Sequence, residues 1–189
     1  MDRQANLTFF QVFEGLNHVP QDISDIFQEV LVERVVASKA QAVLKIYIKS
    51  HRLISRRKIK GMEFQLHKQL FSSLSVSIYE QFTLSSQYTP DKLLSIYKES
   101  LLDELKEISI LKYNILKHSK MEYKNNTFYF QCEDNFLYRK VTEEFSSYLV
   151  TLFEERFNFN INVAFEYYKP VDKKELEEAI PLDDILMKN

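Results

Sequence analysis

The sequence predicts an α+β chain of two small tandem modules, each an antiparallel β-hairpin, then a long helix, then a closing strand. Three observations lead there. The order strand, strand, long helix, strand occurs twice, over residues 31–84 and 120–168. The long segments carry apolar residues at helical spacing, whereas the shorter runs alternate apolar and polar. Charge also divides along the chain. Residues 1–84 hold 11 Lys+Arg against 8 Asp+Glu, and residues 85–189 hold 14 against 19, so net +3 precedes net −5. The modules are placed at 1–85 and 86–169, with 170–189 as an acidic linker or tail. Such modules predict small antiparallel sheets, each covered by helices on one face.

Residues 1–6 are polar and read as frayed. Phe9, Phe10, Val12, Phe13 and Leu16 fit one face of a short helix that Gly15 and Asn17 would end. A second short helix runs over 23–30, capped by Asp22 or Ser24. The β-branched runs 31–37 and 42–49 form a hairpin through Ser38–Gln41. A basic segment follows, then a helix over 62–74 with apolar residues at 62, 66, 70 and 74. Residues 75–84 alternate as a strand. Ser85 to Pro90 is the boundary: Thr89 is an N-cap, with Pro90 at the first helical position. Leu93, Leu94, Tyr97, Leu101, Leu102 and Leu105 mark one helix, and 108–116 a second, with Ser109 as its cap. Runs 121–124 and 127–132 pair across Asn125-Asn126, since Asn tolerates positive φ. Asp134-Asn135 offers an N-cap for a helix over 136–157, and 161–167 closes the module. With two glycines in the chain, turns that need positive φ must draw on other residues.

Composition bounds the function. A chain of 189 residues, 45% hydrophobic and 14% aromatic, can bury a substantial core. One cysteine, Cys132, forbids an internal disulfide and reads as a buried, inert thiol. The apolar run 7–12 is too short for a secretion signal, and nothing approaches the ~20 apolar residues of a membrane span. A soluble cytoplasmic protein is expected.

Catalytic chemistry has little to stand on. His18, His51, His67 and His118 form no ligand pair, so neither metal nor cofactor is expected. There is no G-x-S-x-G and no phosphate-binding glycine loop. Asp183-Asp184 is a carboxylate pair within the acidic tail, where a solvated role is expected. The sharpest charge feature is the basic segment 49–60. Lys49, Arg52, Arg56, Arg57, Lys58 and Lys60 are its candidate contacts to nucleic acid or to an acidic protein partner. A solvated loop and helix start is the third reading. Phe128 and Phe130 share one pleat face and read as core; Tyr129 points the other way. The second module is similar to a truncated K-homology-like fold. That fold grips nucleic acid with a GXXG loop, and this chain has none.

Three stretches carry a family resemblance: Glu104-Leu-Lys-Glu-Ile-Ser109, Tyr123-Lys-Asn-Asn-Thr-Phe-Tyr-Phe130, and Phe153-Glu-Glu-Arg-Phe-Asn-Phe159. Together with the hairpin over 35–49 and the helix after it, they resemble the N-terminal region (N-terminal domains I and II) of PolC. PolC is the Gram-positive-type DNA polymerase III alpha subunit. The chain departs from that family in having no Trp, in Ile110 after Ser109, in Asn125 at a hairpin glycine, and in a longer basic segment. The resemblance implies a non-catalytic segment, because the OB-fold, PHP, exonuclease and polymerase regions have no counterpart in these residues. It implies a protein-interaction module in DNA replication. Its partners would be replisome proteins such as the clamp-loader tau subunit, which the second domain of the family resembles in its polymerase-binding part, or the helicase. DNA contact through 49–60 is a further expectation, and a stand-alone nucleic-acid-binding module is the alternative.

Overall fold

The computed structural model describes residues 7–169; the fraying expected at 1–6 and the linker or tail expected at 170–189 lie outside the described residues. Strand β1 (Leu7–Thr8) runs into helix α1 (Phe9–Val12), and α2 spans Gln21–Phe27. Strands β2 (Leu31–Ser38) and β3 (Val43–Ser50) form the first hairpin. Its loop ends at Ala42, in the left-handed region at φ 51°. Helix α3 (Arg56–Gln69) leads to β4 (Ser75–Phe82), and the sheet order is β1-β2-β3-β4.

The second unit repeats this plan. Helices α4 (Pro90–Ile108) and α5 (Ile110–His118) precede strands β5 (Lys120–Lys124) and β6 (Thr127–Glu133), long helix α6 (Phe136–Phe157) and β7 (Asn162–Tyr168). Its sheet order is β5-β6-β7. Asn125 and Asn126 both take positive φ, 49° and 61°, which matches the right-handed twist of the strands they join. Asn126 Nδ2 also donates to the Asn160 carbonyl at 2.6 Å, tying the hairpin to the closing strand. Asn135 Oδ1 accepts the Leu137 N–H at 2.8 Å as the N-cap of α6, and Ser109 Oγ accepts from Lys112 N–H at 3.4 Å at the start of α5. Asn158, left-handed at φ 57°, ends α6.

Each sheet is mixed rather than all antiparallel. The hairpins are antiparallel, but β4 pairs parallel to β3, and β7 parallel to β6. The intervening helix returns the chain to the starting end of the sheet, so the closing strand re-enters in the direction its neighbour ran. Helix α3 begins at Arg56, six residues before the start expected from its apolar spacing; Ser55 holds the N-cap position, and its carbonyl accepts from the Lys58 and Ile59 N–H groups at 2.9 and 3.1 Å. Ile59, Met62, Glu63 and Leu66 form its buried face at the i, i+3, i+4, i+7 spacing. The expected cap of α2 also moves: Pro20, not Asp22 or Ser24, occupies that position. The two-residue β1 had no sequence signal; it pairs with β2 through Leu7 and Thr8.

The core runs without a break from one sheet to the other. Phe128 and Phe130 are fully buried beneath α6, and Cys132 is buried, with burial pushing its thiol pKa up. At the junction, Phe157 of α6 stacks on Phe82 of β4 at 5.7 Å and meets Tyr97 of α4 edge-on at 5.4 Å. No helix among the described residues is long and apolar enough to cross a membrane.

Candidate functional site

The basic segment spans the end of β3, a loop and the start of α3, and most of its charges meet acids from other elements. Lys49 pairs with Glu33, and Arg52 with Glu29 at 3.2 Å. Lys58 Nζ donates to the Asp22 carbonyl at 2.9 Å and lies 3.7 Å from its carboxylate. Lys60 pairs with Glu107 at 3.1 Å and with Glu63 at 3.7 Å. Arg57 is exposed and makes no ion pair among the described residues. The six candidates therefore do not converge on one open cationic surface.

Arg56 stands apart, because it is turned inward. Its backbone N–H donates to Ser100 Oγ at 3.2 Å, and its guanidinium lies 4.0 Å from the Glu63 carboxylate, with Nε buried and unpartnered. Glu63 itself accepts the Ile78 N–H at 2.8 Å, satisfying a donor of β4. Burial raises the Glu63 pKa against the pull of that hydrogen bond and of Arg56 and Lys60. Arg56→Ala is expected to cost about 2–3 kcal/mol, because it removes an inward-facing guanidinium and leaves Glu63 with the more exposed Lys60 as its counter-ion. Arg57→Ala should stay within about 0.5 kcal/mol. Urea denaturation of the two variants reads the difference, and equal effects would place Arg56 at the surface.

A second interior group joins the two units. Arg156 of α6 makes a two-pronged hydrogen bond to Glu104 of α4, at 3.0 and 3.3 Å, and its Nε lies 3.3 Å from Glu80 of β4. Tyr97 Oη lies 3.2 Å from both Glu80 Oε1 and the Ile54 carbonyl and donates between them. Burial opposes the charge on Arg156, yet Glu80 and Glu104 hold its pKa above the ordinary value. Burial raises the Glu80 pKa and Arg156 offsets only part of it. At Glu104 burial also pushes upward, but the charge and hydrogen bonds of Arg156 outweigh it, and the carboxyl is held low. A depressed carboxyl stabilises the fold above its unfolded pKa of about 4.3 and loses that contribution as pH falls through the folded value. Glu104→Gln should therefore cost most at pH 6–7 and progressively less below about pH 4. Urea midpoints across pH read this, and a cost that does not change with pH would overturn it.

Beside this group lies a cleft of about 700 Å³ between the open face of the first sheet and one face of α6. On the sheet side, Arg34 lies 4.1 Å over the Tyr47 ring, and Tyr47 stacks on its neighbour in register, Tyr79, at 5.1 Å and 18°. Tyr79 is 45% exposed and sits on edge strand β4. On the helix side, Glu144, Tyr148, Thr151 and Glu155 line the cleft, with Glu80, Glu104 and Arg156 at its base. Tyr148 Oη is buried and has no partner in hydrogen-bonding geometry. Burial and the neighbouring Glu104 carboxylate both raise its pKa. Sequence reasoning did not single out this site. Its signal in the sequence is Glu80, a carboxylate at a position of β4 that turns toward the core.

The fold and the site together define a chain of two helix-backed mixed sheets clamped by interior ion pairs. Compared with known protein families, residues 8–79 match the model described as DNA polymerase III polC-type N-terminus I. The domain over those residues belongs to the PolC-type N-terminus of the DNA polymerase III alpha subunit, which is not a catalytic domain of that polymerase. No curated protein matches the sequence.

Proposed function

We propose that this chain is a non-catalytic docking module in the N-terminal part of a PolC-type alpha subunit, binding other proteins of the bacterial replication machinery in the cytoplasm. The match over 8–79 is the observation that carries this reading. The pairing of the basic segment supports protein over DNA as the partner. Affinity for DNA grows with each phosphate neutralised, and a cation already held by Glu29, Glu33, Asp22 or Glu107 releases fewer counterions on binding. The clamp-loader tau subunit and the replicative helicase are the partners to test. Calorimetric titration of the chain with each purified protein should give saturable binding at micromolar or tighter Kd. Absence of binding to both, at concentrations up to about 100 μM, would overturn the reading. A parallel titration with duplex DNA should show only weak binding that fades near physiological salt.

A further inference from the structure

We infer that the cleft between the first sheet and α6 receives an arginine side chain from a basic segment of the protein partner. The inference deepens the docking reading and rests on it for the nature of the occupant.

Charge is the first argument. Five carboxylates line the cleft (Glu33, Glu80, Glu104, Glu144 and Glu155) against a single cation, Arg156. Lys49 and Lys112 engage Glu33 and Glu144 from outside the lining. Even with both counted, the cleft keeps an excess of negative charge. At the base of the cleft the interior is likewise unbalanced, since Glu80 and Glu104 share Arg156. Glu155 is exposed and makes no ion pair among the described residues. The complement to this surface is a cation. Among the described residues no group of three or more His, Cys, Asp or Glu is placed to hold a metal ion, which leaves an organic cation.

Shape selects between the two cationic side chains. Arg34, Tyr47 and Tyr79 form a row across three strands, a guanidinium on a ring on a ring. Tyr47 is occupied on both sides. Tyr79 is the end of the row, on the edge strand, and lines the cleft, 45% exposed. A planar guanidinium continues such a row, and its in-plane donors can reach carboxylates such as Glu155 across the gap. An ammonium can do the second but not the first. The buried Tyr148 hydroxyl, beside the Glu104 carboxylate, adds a further polar group to the wall.

The probe is a fluorescently labelled Gly-Arg repeat peptide, with lysine and citrulline versions of the same length, followed by anisotropy. The arginine peptide should bind at least about fivefold tighter than the lysine peptide, and the citrulline peptide should not bind. Tyr79→Ala and Glu155→Gln should each weaken binding about fivefold or more, whereas Tyr79→Phe should keep it. Glu122→Gln, on β5 away from the cleft, should change nothing. Both cleft positions are exposed, so thermal melts should show the variants folded. Equal affinity for arginine and lysine peptides, or affinity untouched by Tyr79→Ala and Glu155→Gln, would overturn the proposal, as would no binding at all. The two readings separate cleanly. Binding of tau or helicase that Tyr79→Ala leaves intact keeps the docking module and removes the cleft from it. Peptide binding in the cleft without either partner keeps the cleft and removes those partners.

Discussion

Replacing Arg156 by Met is expected to cost about 3–5 kcal/mol of stability near pH 7, lowering Tm by roughly 10 °C. The guanidinium sits between two carboxylates, 3.3 Å from Glu80 and 3.0 Å from Glu104, in a largely buried site. Met fills similar volume, so packing changes little; the cost comes from leaving two acids in the interior without a counter-ion. That origin makes the prediction specific. The deficit should shrink as pH falls and the stranded carboxyls protonate. Adding Glu80→Gln and Glu104→Gln should restore much of the loss, because no carboxylate is then left in the interior without a counter-ion. Urea denaturation of the single and triple variants checks both statements. A loss under about 1 kcal/mol for Arg156→Met would mean that solvent screens the group.

Phe157→Ala should be equally severe, at about 3–5 kcal/mol. The ring is buried against Phe82, Tyr97 and Phe153, so it touches β4, α4 and its own helix. Truncation opens a cavity that three different elements would have to move to fill. Phe157→Leu should retain most of the stability, losing about 1–1.5 kcal/mol, because volume is nearly kept. Denaturation midpoints distinguish the two. Near-equal losses would mean that the aromatic edge contacts, not the filled volume, set the stability.

The repeated order of elements was legible in the sequence because each copy carries strong local signals. Pro90, Ser109, Asn125-Asn126 and Asn135 all act where their chemistry placed them, and Thr89 holds the N-cap position without a side-chain capping bond. The start of α3 was hidden. Arg56 to Lys60 reads as a charge run, and Ile59 looks isolated until Glu63 is recognised as a core position. The direction of β4 and β7 was not legible either, since alternation says which face a strand buries and not which way it runs. The basic segment was visible, but its neutralisation was not: Asp22, Glu29, Glu33 and Glu107 come from four other places in the chain. The cleft escaped for the same reason. Tyr47 and Tyr79 are brought together by the register of β3 and β4, and Glu155 faces the same cleft only when α6 packs beside β4.

That packing bears on how the molecule can be cut. The family match ends at residue 79, and the next residue is Glu80, followed two positions later by Phe82. Both turn inward, and both are completed by α6, Glu80 by Arg156 and Phe82 by Phe157. A fragment trimmed to the recognised stretch would lose the end of its edge strand together with the helix that shields it. The stretch that matches the family is thus shorter than the stretch that closes its own core.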